Sequence, residues 1–214
     1  MIISVLQDKG GAGKTTITIN VARALVRNFN KSVLVVDSDP QGSARDWHTN
    51  SGGDLLDVIG IDRPTIDKDI HKFSRDYDIT IIDGGRSLSA VTMKSIVCSD
   101  LVLIPVMPSP YDLWATKDLV DLVKQRQDIT DGRLKAAFIV SRQIVNTNVG
   151  KEVRSVLVDY GLSVLEHGTF QRVAYVETAA KGSTVVDAEN LGIASLEINW
   201  LAHEILEFSN NVNT

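Results

Sequence analysis

Short apolar runs rich in β-branched residues recur along the chain, at residues 2–6, 33–36, 79–82, 101–106 and 136–140, with a weaker one at 162–165. None alternates cleanly between apolar and polar positions. That pattern suits strands covered on both faces, as in a parallel sheet. Between the runs, helical periodicity marks residues 14–29, 89–98, 113–127 and 149–160. A last stretch, 188–208, places Leu191, Ala194, Ser195, Ile198, Leu201, Ala202 and Ile205 near helical spacing. Strands alternating with helices predict an α/β fold: a doubly wound, mostly parallel sheet flanked by helices. Asn50-Ser51-Gly52-Gly53 reads as a surface loop, and no repeat, low-complexity stretch or linker interrupts the pattern. Residues 1–214 therefore read as one domain.

Composition narrows the picture by exclusion. A net charge of −5 argues against a generally basic nucleic-acid binder, while leaving room for a local basic patch. Cys98 is the only cysteine, so no internal disulfide and no paired-cysteine metal or redox site can form. His48, His71, His167 and His203 lack ligand-like spacing. The first apolar run is too short for a signal peptide, and no run approaches a membrane span. The tail, residues 208–214, is polar and asparagine-rich, unlike a membrane-surface helix. A cytoplasmic protein with no membrane attachment is expected.

The first strand runs into Lys9-Gly10-Gly11-Ala12-Gly13-Lys14-Thr15-Thr16 and then directly into a helix. The general phosphate-loop pattern Gly-x-x-x-x-Gly-Lys-Thr would need glycine at position 8, where Asp8 stands. The loop is thus a variant with its Gly-Lys-Thr ending intact. Glycines let backbone N–H groups approach phosphate oxygens closely, and the helix start adds its positive end. Lys14 can reach the β- and γ-phosphates, and the Thr15 hydroxyl can ligate Mg²⁺. ATP with Mg²⁺ is the expected ligand, and ATP hydrolysis the expected activity.

Two later strands end in carboxylates. Val36 is followed by Asp37-Ser38-Asp39-Pro40-Gln41-Gly42, and Ile82 by Asp83-Gly84-Gly85. Carboxyl ends of strands border the crevice where open α/β sheets bind ligands. One carboxylate of the first pair can hold a metal-bound water while the other positions the attacking water. Asp83 stands where the carboxylate that holds Mg²⁺ belongs, and its glycines allow a loop to move near the γ-phosphate.

The segments KGGAGKTT, VVDSDPQGS and IIDGG resemble the three nucleotide motifs of the ParA/MinD group of deviant Walker ATPases, and LVLIPVMPSPYD and IVSR resemble its small plasmid-partition branch. The resemblance, which also takes in residues 171–186, covers most of the chain. It implies that ATP is sandwiched in a homodimer, with Lys9 as the signature lysine reaching the partner's ATP. It also implies Lys14 as the phosphate-loop lysine, Thr15 as the Mg²⁺ ligand and Asp39 as the residue orienting water. Asp37 and Asp83 become carboxylates of the Mg²⁺ and water network. A lysine supplied across a dimer makes assembly and phosphoryl transfer interdependent.

Met1 leads straight into the first strand, so no N-terminal helix-turn-helix domain is expected. One cysteine does not fit the iron–sulfur bridging of nitrogenase iron protein relatives. The resemblance further implies non-specific DNA binding in the ATP state, nucleoid association, and a centromere-binding partition protein that stimulates hydrolysis. The residues support DNA binding only weakly: residues 117–154 hold eight basic and five acidic side chains. Lys135, Arg142, Lys151, Arg154, Arg172 and Lys181 are the patch candidates. A plasmid or chromosome partition ATPase is the leading expectation. A related positioning ATPase for a non-DNA cargo is the alternative, and a metabolic ATP-dependent enzyme is a third. Trp47, Trp114, Trp200 and Cys98 read as packing residues, Pro108 and Pro110 as shaping a loop, and Gln171 and Arg172 as facing either adenine or the dimer partner.

Overall fold

The computed structural model describes residues 1–147, 149–188 and 192–210, with the side chains of 149 and 151 outside that description. Leu191 of the expected last helix, residues 211–214 of the polar tail and the Lys151 side chain fall outside the described residues. In chain order the elements are β1 (Ile2–Val5), α1 (Lys14–Phe29), β2 (Val33–Asp37), α2 (Ser43–Asn50), β3 (Asp57–Gly60), α3 (Ile66–Phe73) and, after a 3-10 turn, β4 (Ile79–Asp83). They continue with α4 (Ala90–Cys98), β5 (Leu101–Val106), α5 (Pro110–Ala115), α6 (Lys117–Ile129), β6 (Lys135–Val140), α7 (Val149–Val158), β7 (Ser163–Val164), α8 (Val173–Ala180) and α9 (Ile193–Asn210).

All seven strands join one parallel sheet in the order β3-β2-β4-β1-β5-β6-β7. The doubly wound expectation holds. Alternate side chains of each strand enter cores on opposite faces, as the two-residue period demands. Ile3, Val5, Val35, Ile81, Leu103 and Ile139 pack with α1 and α9. Val102, Ile104, Phe138 and Val140 face α6 and α7, and Leu34, Val36 and Ile82 face α3. Burial on both sides explains why these strands read as unbroken apolar runs.

The differences from expectation lie at the margins. β3 escapes the apolar-run criterion because it is an edge strand with exposed ends at Asp57 and Gly60. Helices α2, α3 and α8 have eight residues each, too short for periodicity to stand out. The helix expected over 113–127 breaks at Thr116, whose hydroxyl donates back to the Asp112 carbonyl at 2.6 Å. β2 runs one residue further than expected and includes Asp37. Of the three tryptophans only Trp47 is buried. Trp114 and Trp200 are 68% and 52% exposed, which corrects their reading as packing residues. Cys98 is half-buried against the α3 side of the sheet. Pro110 opens α5, where its missing N–H costs nothing.

Asp187 ties α1 to the segment before α9. It accepts from Arg23 Nε and Nη2 at 2.8–2.9 Å, from Arg27 Nη1 at 3.1 Å and from the Thr184 hydroxyl at 2.8 Å. Asp187→Ala removes the carboxylate from two guanidinium groups, each left with one carbonyl, and urea denaturation should show a loss of about 2 kcal/mol. An unchanged midpoint would remove this carboxylate from the list of tertiary anchors.

Candidate nucleotide site

Three neighbouring strands, β2, β4 and β1, bring their carboxyl ends to one rim of the sheet. From β1 the chain turns through the glycine loop into α1. Gly11 and Gly13 have φ of 86° and 85°, the left-handed region where a side chain is strained, so glycine is required there. The Ser141 hydroxyl at the end of β6 pins the loop by donating to the Ala12 carbonyl at 2.8 Å. Gln7 fixes the loop's other end, since its Nε2 donates to the Pro105 carbonyl and to Thr116 Oγ1, both at 3.1 Å.

Lys14 is buried at the start of α1, and its Nζ donates to the Gln7 carbonyl at 2.8 Å. Burial lowers its pKa, while nearby Asp83 and Asp39 work against that shift. One residue on, Thr15 Oγ1 donates to Asp83 Oδ2 at 2.6 Å. Asp83 is fully buried and its Oδ1 has no hydrogen-bond partner. Burial pushes its carboxyl up to about 7, against the opposing Thr15 hydrogen bond.

A buried carboxylate oxygen lacking a donor, next to a threonine hydroxyl at a helix start, suits a hard cation. Mg²⁺ takes oxygen ligands and commonly shares one or two carboxylates with substrate phosphates. Among the described residues no three His, Cys, Asp or Glu side chains converge on a metal position. A cation here would therefore draw its remaining ligands from phosphate and water.

Asp37 and Asp39 separate in role although they lie two residues apart. Asp37 Oδ1 accepts the Asp39 N–H, and Oδ2 accepts the N–H groups of Ala44 and Arg45, all at 3.0 Å. It thereby caps α2, whose own N-cap residue, Gly42, has no side chain to offer. Burial raises the Asp37 pKa, and these backbone donors oppose the rise. Among the described residues the Asp39 carboxylate accepts only the Gln41 N–H, on Oδ1 at 2.9 Å, and the residue lines the cavity.

That cavity, about 860 Å³, is lined by Gly11, Gly13, Lys14, Thr15, Thr16 and Asp39 among the expected site residues. Its far wall runs from Thr169 to Val173 and on to Tyr175. The buried carboxylate of Glu197 on α9 holds this wall, accepting from Phe170 N–H, Arg172 Nε and Tyr175 Oη at 2.6–3.3 Å. Gln171 and Arg172 both line the cavity. Sequence reasoning missed Glu197, whose signal was a lone acid at a core position of the last helix.

Lys9 points elsewhere. Its Nζ is 3.0 Å from Asp112 Oδ2, and the other oxygen of that buried carboxylate has no hydrogen-bond partner. Asp112 was visible only as part of a quoted motif. Four of the candidate patch residues have partners within the chain. Lys135 Nζ donates to the carbonyls of Phe208 and Ser209, and Arg154 donates to those of Leu165 and Glu166. Arg172 pairs with Glu197, and Arg142 sits against the phosphate loop.

A family model described as the CobQ/CobB/MinD/ParA nucleotide binding domain matches residues 3–185, and the chain belongs to this family. It is thus a P-loop ATPase of the ParA/MinD type, as its motifs led one to expect. Maintenance of carboxysome distribution protein A of Halothiobacillus neapolitanus is 28% identical over 209 residues, covering 95% of each chain. Chromosome-partitioning ATPase Soj of Thermus thermophilus is 25% identical, over 95% of this chain and 94% of that one. The septum site-determining protein MinD of Pyrococcus horikoshii, solved with Mg-ADP, shares the fold at a TM-score of 0.76. It is 18% identical, with 98% of this chain and 97% of that chain covered.

Lys9→Ala leaves the Asp112 carboxylate buried without its cation. The variant should lose about 2 kcal/mol, less than a fully buried pair would, because Lys9 is partly exposed. Adding Asp112→Asn should restore most of that loss. Chemical denaturation of both variants checks this, and equal stabilities would show that the pair contributes nothing.

Proposed function

We propose that this chain is a Mg²⁺-dependent ATPase, one domain over residues 1–214, that drives the partitioning or positioning of a cargo by cycling between monomer and ATP-bound dimer. The observation that carries the reading is the division of the two loop lysines. Lys14 is buried in the cavity of its own chain, whereas Lys9 lies outside it and is held by Asp112. A lysine on the phosphate loop that does not serve its own cavity is placed to serve another copy's.

Lys14 and the N–H groups from Gly10 to Thr16 would hold the phosphates, and Thr15 and Asp83 would hold Mg²⁺. When bound, the metal neutralises phosphate charge. Asp39, with one oxygen free toward the cavity, orients the attacking water. Asp37 fixes the bend that presents Asp39 rather than reaching the metal directly, because backbone donors from three residues already occupy its oxygens. Lys9 leaves Asp112 to meet the partner's phosphates, which makes dimerisation a condition of hydrolysis.

In the partition reading the ATP dimer binds DNA without sequence preference on the nucleoid, and a centromere-binding protein stimulates turnover. A second reading, a non-DNA cargo, is supported by the similarity to the carboxysome distribution protein. Among the described residues no helix is long and apolar enough to cross a membrane. The two readings share the ATPase cycle and differ in the stimulator: a protein bound to a centromere site in one, a cargo-bound protein in the other.

Asp39→Ala should keep nucleotide binding and lose hydrolysis. Light scattering should then find a dimer with ATP–Mg²⁺, a monomer with ADP, and capture of non-specific DNA only by the dimer. A variant that stays monomeric with ATP bound would overturn the sandwich and return a metabolic role to consideration.

A further inference from the structure

Two arginines lie against the phosphate loop. Arg86 follows Asp83-Gly84-Gly85, and its side chain crosses Gly10. Its Cδ lies 3.6 Å and its Nη1 3.9 Å from where a Cβ on that glycine would stand. Arg142 reaches the same loop from the end of β6, donating from Nη1 to the Gly11 carbonyl at 3.1 Å. To do so it holds a φ of 52°, a strained conformation for a residue with a side chain, and its N–H donates to Thr169 Oγ1 at 3.1 Å. Both side chains line the cavity together with Lys14, Thr15 and Asp39.

Among the described residues neither arginine has a carboxylate partner. Arg172, which also lines the cavity, shows the contrast, because Glu197 neutralises it. A guanidinium with its charge unspent presents a planar fork that matches phosphate oxygens. The loop also orders the two positions. Gly85 packs against Asp39, with Asp39 Cγ 3.8 Å from a Cβ built on the glycine. Arg86, the next residue, therefore enters the cavity on the Asp39 side.

We propose that Arg86 and Arg142 complete the phosphate cradle from the same chain as the loop, Arg86 at the terminal phosphate and Arg142 along the inner phosphates. The proposal rests on the nucleotide reading above and adds to it two cations beyond the loop lysines. Arg86 follows the glycine pair after Asp83, so the same short loop carries a metal-site carboxylate at one end and a phosphate contact at the other. Loss of the terminal phosphate would then release Arg86.

Equilibrium binding of fluorescent ATPγS and ADP, each with Mg²⁺, tests this in a Lys9→Ala background that removes the cross-subunit lysine. Both arginines are exposed, so their variants should fold, as circular dichroism can verify. Arg86→Ala should weaken ATPγS about tenfold and leave ADP nearly unchanged, with only partial recovery in Arg86→Lys. Arg142→Ala should weaken both nucleotides about tenfold. Alanine variants that bind both nucleotides as the parent does would overturn the proposal and leave the nucleotide reading intact. A folded parent that binds neither nucleotide would overturn the nucleotide reading itself, and the proposal with it.

Discussion

Charge buried at the carboxyl ends of three adjacent strands is the constraint on which the rest of the molecule depends. Lys14, Asp37, Asp39 and Asp83 are all under a tenth exposed. Removing such ions from water costs several kcal/mol each unless each finds partners. The protein meets that cost unevenly. Asp37 is satisfied by backbone N–H groups at the head of α2, and Lys14 by the carbonyl of Gln7. Asp83 is left with one oxygen unpartnered. The cores on the two faces of the sheet hold these groups in place, and in the proposed reading the unsatisfied remainder is met by a cation with phosphates.

The same reasoning separates the two lysines of the loop. Lys14 is fixed by the turn of the backbone into α1 and has no other place to go. Lys9, earlier in the same loop, rests against a buried carboxylate on α5 whose second oxygen is unpartnered. Moving it to another chain's phosphates, as proposed, would leave Asp112 unpaired, and the proposed dimer would have to offset that cost. In this account the ion pair sets how readily the protein assembles, alongside any nucleotide preference.

Much of this was legible in the sequence because the central strands are buried on both faces and read as apolar runs closed by aspartate. The phosphate loop was equally plain, since Gly-Lys-Thr between strand and helix fixes three positions at once. The edge strand β3 and the eight-residue helices were not, because partial exposure dilutes the pattern that burial sharpens. The resemblance gave Asp39 the water and Asp37 the Mg²⁺ network, but the capping of α2 by Asp37 was hidden. Spacing places both near the site, but only the direction of the Ala44 and Arg45 N–H groups shows that one of them is a cap. Asp112, Glu197 and Arg86 share a further reason for being missed. Each acts on a segment far away in the chain, or on one the fold brings near, and local pattern carries no trace of that.

The most direct test of the account is equilibrium unfolding of the wild-type protein and of Asp83→Asn, each without ligand and with saturating ADP and Mg²⁺. Asparagine keeps an oxygen for the Thr15 hydroxyl and removes the buried charge. The account predicts that Asp83→Asn is at least as stable as wild type without ligand. It also predicts that wild type gains about 3 kcal/mol at a ligand concentration of about 100 Kd, most of it dependent on Mg²⁺ and missing in the variant. A variant that is less stable alone and gains as much from Mg²⁺ would contradict the claim that this buried carboxylate is the cation's place.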